Sequence, residues 1–288
     1  MAITPVDLSV TNIAPTSVRL NWVRGNWTPL QLFLAGALGF WFDPSDLSTL
    51  FQDAAGTIPV TADGDPVGLM LDKSGNEYHA SQSVSGRRAV YRTDGALHWL
   101  ESDGIDDNMP IPGSSSAFKF MHDGTGGSVS AAVMSLTDDS FTQFISSQQG
   151  SSVNVGFALL RANRSIVGSE RDSAGFEVLR GVSSTNNISI RVDNKIFVNI
   201  PYIMRANYKN NGLTDDGILL LDSSLIGNSP TALSPSSGDS TIDVALFGNI
   251  FINSSARIYG AVLREGAILG TDGQNVDEYL DAKSGVTL

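Results

Sequence analysis

The spacing of short apolar runs constrains this chain more than any other feature. Runs rich in apolar and β-branched residues fall at 67–71, 88–91, 97–100, 128–136, 141–146, 153–160, 164–168, 176–182, 187–192, 195–203, 217–221, 241–247 and 257–263. Clusters of Gly, Asn, Asp or Ser divide most of them, as at Asp123–Gly127 and Ser234–Gly238. Such runs have the length of strands, not of helices. About a dozen of them at roughly 8–15-residue spacing is the pattern of a two-sheet sandwich or jelly roll. The polar residues agree with this reading. There are 24 Asp against 6 Glu and 13 Arg against 5 Lys, with 36 Ser, 29 Gly and 18 Asn. Asp, Asn and Ser bond their own neighbouring backbone and favour turns, whereas the scarce Glu and Lys are helix formers. The fold class expected is all-β.

The ends of the chain read differently. In residues 5–24 Leu8, Val10 and Ile13 precede a break at Pro15-Thr16, and Val18, Leu20 and Trp22 alternate after it. This stretch resembles the opening strands of a fibronectin type III domain but is too short to be one. The expected division is an arm over 1–35, joined near Gly25–Pro29, and a sandwich over 36–288. Asp43-Pro44-Ser45-Asp46 predicts a helix start, with Leu47, Leu50 and Phe51 on one face for about two turns. A C-terminal helix is expected over about 272–284, with Val276, Tyr279 and Leu280 on one face, Lys283 in the last turn and Gly285 closing it.

Several functions are excluded on chemistry. The net charge is −12, and no cluster of Lys and Arg exists beyond Arg87-Arg88. Phosphate backbones need such clusters, so no nucleic-acid partner is expected. No run reaches the ~18 apolar residues of a membrane helix, so no membrane insertion is expected. The chain has no Cys, which removes disulfides, thiolate zinc sites and cysteine nucleophiles. His79, His98 and His122 are scattered without metal-ligand spacing.

Two blocks carry a resemblance: Asp72-x-Ser74-Gly75-Asn76-x-x-His79-Ala80, and Asp103-Gly104-Ile105-Asp106-Asp107. With 257–288, they resemble the concanavalin A-like (laminin-G-like) jelly-roll domains of tailed-phage and prophage virion proteins, over residues ~38–288. The resemblance implies two antiparallel sheets and a place on the virion surface, in capsid decoration, a head fibre or a tail fibre. It also implies other virion proteins as partners, a homotrimer, and host cell-surface polysaccharide as a ligand. A virion-associated glycan-cleaving enzyme and a prophage-derived bacterial surface adhesin are the alternative uses.

Each candidate chemistry has a bland counterpart. Glycosidases of this superfamily set carboxylates at alternate positions of a strand, E-x-D-x-E. Glu101-Ser102-Asp103-Gly104-Ile105 has Ile where the third belongs, so no enzyme is expected. Asp103, Asp106 and Asp107 form an oxygen-rich candidate calcium site, against which stands a solvated turn. Tyr91, Trp99, Tyr202 and Tyr208 are candidate glycan platforms, although most such rings in a sandwich belong to the core. Leu8, Val10, Leu20, Trp22, Trp27, Phe33 and Leu34 are the candidate assembly residues, since two isolated strands need a partner for their edges.

Overall fold

The computed structural model describes residues 27–138, 141–148, 155–164, 170–181, 187–209, 217–229, 236, 238–249 and 252–288. In chain order the strands are β1 (Gly39–Phe42), β2 (Leu50–Phe51), β3 (Leu69–Met70), β4 (Ala80–Ser81), β5 (Val90–Thr93), β6 (His98–Asp103), β7 (Met109–Pro110), β8 (Gly127–Ser135) and β9 (Phe141–Ser146). They continue as β10 (Val155–Arg164), β11 (Glu170–Arg180), β12 (Ile188–Val192), β13 (Tyr202–Tyr208), β14 (Gly217–Leu221), β15 (Ser224–Ser229), β16 (Ala245–Leu246), β17 (Gly248–Asn249), β18 (Ile252–Asn253) and β19 (Ser255–Glu265). A four-residue α1 (Ser114–Ala117) and the long α2 (Gly270–Ser284) are the α-helices among the described residues.

The larger sheet runs β15-β14-β13-β8-β19-β6-β5, and β1 pairs β19 beyond the end of β6. The smaller sheet runs β12-β11-β10-β9-β16-β7. A three-stranded sheet, β2-β3-β4, and the β17-β18 pair complete the set. All named pairings are antiparallel, so the chain is an all-β jelly-roll sandwich with a C-terminal helix. One glycine is fixed by this pairing. Gly39 has φ +143, and a Cβ there would stand 1.9 Å from the Leu263 carbonyl oxygen, so β1 could not lie against β19 with any side chain.

Period-two alternation divides each central strand between two cores. Val129, Ala131 and Val133 of β8 point inward to Phe157, Leu159, Phe176, Val178 and Ile190 of the smaller sheet. Ala132 and Met134 point the other way and meet Trp41, Ile203, Val262 and, from α2, Val276 and Leu280. Because both faces are covered, β8 and β13 are buried at every position, including their polar residues Ser128, Ser130, Ser135, Arg205 and Asn207.

A buried ion pair fixes α2 on the sheet. Arg205 donates from Nε to Asp277 Oδ1 (3.0 Å), from Nη2 to Asp277 Oδ2 (2.8 Å), and from Nη1 to the Ile268 carbonyl (2.9 Å). Gly273 leaves the space for it, since a Cβ there would lie 2.7 Å from Arg205 Nη1. The helix ends as expected, with Lys283 in its last turn and Gly285 at φ +69.

Three local expectations are corrected. After Asp43-Pro44-Ser45-Asp46 the chain makes one 3₁₀ turn, Leu47–Thr49, and then enters β2, because tertiary pairing with β3 outweighs the helix-start signal. The run 195–203 enters β13 only at Tyr202. The third concerns residues assigned to the arm: Leu32 and Phe33 are buried in the outer core beside α2, so the packed layer begins before residue 36. Leu8, Val10, Leu20 and Trp22 lie outside the described residues.

Candidate carbohydrate-binding face

The two sequence blocks act as structural clamps. The Asp72 carboxylate accepts the Trp41 N–H (2.9 Å), the Ser74 N–H (2.8 Å) and hydroxyl (2.7 Å), and the Tyr78 N–H (3.1 Å). Asn76 Nδ2 donates to the carbonyls of Ala37 and Gly39, and His79 Nδ1 accepts the Asp72 N–H (3.0 Å). Together they hold the entry of β1.

In the second block Asp103 accepts the Ile105 N–H (2.7 Å), and Asp107 accepts the Asp103 N–H (3.0 Å). Gly104 turns at φ +78 against Ser255. Carboxylate oxygens of Asp103, Asp106 and Asp107 lie within 4.8 Å of one another, an all-oxygen set of the kind calcium takes. Burial pushes the Asp107 carboxyl up to about 6; its bond from the Asp103 N–H opposes that, and the charges of Asp103 and Asp106 add to it.

Glu101 is flanked by Arg257 Nε (2.8 Å) and Arg92 Nε (3.5 Å), and it accepts the Trp99 indole N–H (3.2 Å).

The four candidate platforms are corrected by burial: Tyr91 is 2% exposed, Trp99 8%, Tyr202 8% and Tyr208 0%. None offers a ring face to a ligand in solvent. The Tyr91 hydroxyl lies 2.6 Å from His98 Nδ1, and Trp99 packs on Tyr259 under the Arg257 guanidinium. Of the assembly candidates, Trp27 is half-buried, Phe33 is buried, and Leu34 projects with 75% exposure.

A polar and aromatic set lies on the outer face of the smaller sheet. Phe176 and Ile190 pair inward, so their neighbours Glu177 and Ser189 pair outward, and Arg191 stands beside them opposite Gly175. Glu177 accepts from Arg191 Nη2 (2.6 Å), Gln148 Nε2 (3.0 Å) and the Ser189 hydroxyl (3.4 Å). Ala158, Leu160 and Ala162 form the floor, with Phe141 packed on it and the Arg191 guanidinium 4.9 Å from the Phe141 ring centroid. Glu177 and Arg191 keep 16% and 15% of their side chains exposed. The exposed Ser189 hydroxyl and the partly exposed Glu177, Arg191 and Phe141 thus stand together, over a fully buried floor and a Gln148 carboxamide that is itself buried. The signal was present in Ile188-Ser189-Ile190-Arg191-Val192, where apolar and polar residues alternate.

A concavity of about 350 Å³ elsewhere on the molecule is lined by Ser45, Ala96, Leu97, His98, Ala282 and Lys283. Its polar groups are engaged in structure. Lys283 donates to the Ser45 hydroxyl (2.6 Å) and to the buried Asp43 (3.0 Å), which also accepts from Tyr279 (2.8 Å). Burial and the Asp43 charge hold the Tyr279 phenol far above its ordinary range.

No family model matches the chain, and no curated protein matches it. Solved structures share its fold. An arabinofuranosidase complexed with arabinofuranosyl-alpha-1,2-xylobiose is similar at TM-score 0.52 and 13% identity, over 76% of this chain and 51% of that one. The receptor binding domain of botulinum neurotoxin D is similar at TM-score 0.51 and 14% identity, over 73% and 50%. The botulinum neurotoxin serotype D ligand binding domain, in complex with N-acetylneuraminic acid, is similar at TM-score 0.50 and 14% identity, over 73% and 48%. The chain spans about half the length of these proteins. What the chain shares with these structures is the fold, an antiparallel jelly-roll sandwich.

Proposed function

We propose that this chain is a non-enzymatic glycan-binding protein of a phage virion surface, and that it binds through the outer face of its smaller sheet. The observation that carries the reading is the Glu177–Arg191–Gln148–Ser189 cluster beside Phe141. Carboxylate and amide groups fix sugar hydroxyls by directed hydrogen bonds, while an aromatic ring covers the apolar face of the pyranose. The shared fold supports this, since the similar structures include a toxin binding domain holding N-acetylneuraminic acid. Binding without cleavage is favoured by the engagement of Glu101 with two arginines. The virion setting, the homotrimer and the virion partners rest on the resemblance of the Asp72–Ala80 and Asp103–Asp107 blocks. The candidate calcium at Asp103, Asp106 and Asp107 would serve as a structural ion on a loop away from the proposed binding face. A glycan array probed with the labelled chain tests the binding reading. Retention of defined bacterial or host-type glycans without release of reducing sugar is the expected outcome, and silence across the array contradicts it.

A further inference from the structure

The arrangement of charge on the outer face of the smaller sheet bears on which sugars it can take. Glu177 and Arg191 stand on neighbouring strands, and the Glu177 carboxylate accepts from Arg191 Nη2 (2.6 Å), Gln148 Nε2 (3.0 Å) and the Ser189 hydroxyl (3.4 Å). A carboxylate offers about four lone-pair positions, so most of its capacity is met from within the protein. The bond from Arg191 is short and charge-assisted, and it ties the guanidinium to an anion of the chain itself.

The surroundings supply no surplus of positive charge. Gln143, Leu160 and Gly175 share the cross-strand row of Arg191, and Ala158 shares that of Glu177 and Ser189. Two residues beyond Arg191 stands a second carboxylate, Asp193, which accepts from the Ser173 hydroxyl (2.5 Å). The segments 149–154 and 182–186, which follow β9 and β11, contain no charged residue. Segments 139–140 and 164–171 contain Asp139, Arg164, Glu170 and Arg171, two of each sign.

We infer that this face takes uncharged sugar residues and discriminates against those that carry a carboxylate. The inference rests on the glycan-binding reading and names its ligand class. A sugar hydroxyl both donates and accepts, so it can give its proton to Glu177 and accept from the exposed Ser189 hydroxyl. The carboxylate of an acidic sugar only accepts. To reach Arg191 it must compete with a carboxylate already 2.6 Å away, and the two anions repel on the surface of a chain of net charge −12.

The test is an array of neutral oligosaccharides, each paired with a counterpart bearing one N-acetylneuraminic or glucuronic acid residue, probed with the labelled full chain. Wild type should hold the neutral member of a retained pair about tenfold or more tighter than the acidic one. Glu177→Gln removes the anion opposite Arg191, so neutral binding falls, acidic binding rises, and the ratio should move toward the acidic member by about tenfold or more. Glu278→Gln removes the same charge from the exposed side of α2 and should leave the ratio unmoved. If E177Q does not fold, Arg191→Gln supplies the opposite shift: Glu177 keeps its charge, and acidic members should weaken further against neutral ones. Equal or tighter retention of acidic members by wild type overturns the ligand class while the glycan-binding reading stands. A ratio unmoved in E177Q, or moved as far in E278Q, removes the preference from this pair and overturns the inference too. If no member of any pair is retained, the glycan-binding reading falls and this inference with it.

Discussion

The larger sheet turns Ile203, Arg205, Tyr259 and Val262 outward and covers them with α2, whereas the smaller sheet turns Leu160, Glu177, Ser189 and Arg191 outward. Both faces place a carboxylate against an arginine. On the covered face the pair is nearly dry, with Arg205 and Asp277 at 7% and 1% side-chain exposure, and on the other face Arg191 and Glu177 keep 15% and 16%. A dry pair holds one arrangement and is costly to break, while a wetter pair can exchange partners with a ligand. The difference separates the face that fastens the helix from the face proposed to bind.

The largest effect should come from breaking the dry pair. Asp277→Asn leaves Arg205 buried beside a neutral partner and should destabilise the chain by about 3–5 kcal/mol, read as a lowered denaturation midpoint. Glycan binding of the surviving folded fraction should be unchanged. If D277N melts like wild type, α2 is not fastened by this pair.

The reciprocal change is Glu177→Gln together with Phe141→Ala. Each should weaken glycan retention at least tenfold, and E177Q should cost only about 1 kcal/mol of stability because its pair is partly solvated. A large loss of stability with binding intact would reverse the roles of the two faces.

The acidic loop responds to pH with a sign of its own. Asp107 binds its proton more tightly folded than unfolded, so stability is greatest below the unfolded value near 3.8 and declines as pH rises to about 6. Asp107→Asn should stabilise the chain at pH 7 by at most about 3 kcal/mol, read as a raised melting temperature, and millimolar calcium should raise the melting temperature of wild type alone. His122 works oppositely: burial lowers its pKa, so its contribution is present above about 6.5 and declines as pH falls below that value. Melting curves from pH 4 to 8 for wild type, D107N and H122N separate the two. A calcium shift that persists in D107N would remove this residue from the ion site.

The smallest effect on folding should follow deletion of residues 2–26. The packed outer layer contains Leu32 and Phe33, so the truncated chain should melt within a few degrees of wild type. If residues 2–26 are the anchor, as the isolated strand pattern of Leu8, Val10, Leu20 and Trp22 suggests, it should also fail to join particles. Incorporation of the truncated chain would place the anchor elsewhere, with Leu34 the first exposed residue to examine.

The sandwich was legible in the sequence because period-two alternation and turn chemistry are local. β9, β12 and β14 fall on the runs read from it, and α2 stands close to the expected 272–284. The site was less legible because it depends on pairing. Trp99 and Tyr208 have the right chemistry for a sugar platform, but a sequence does not say which face of a doubly covered sheet a ring will meet. Asp138, nothing about whose local sequence marks it as a partner, answers a wholly buried Arg161 across the strand connection. Glu177 and Arg191 are 14 residues apart and become neighbours only through the β11–β12 register.

The most direct test of the outer-face assignment is a backbone amide NMR titration of the full chain with the strongest ligand from the glycan array. The amides of Phe141, Gln148, Glu177, Ser189 and Arg191 should shift in a saturable way, with His98, Lys283 and the rest of α2 unmoved. Shifts confined to the cleft between His98 and Lys283, with the Glu177–Arg191 face silent, would contradict it.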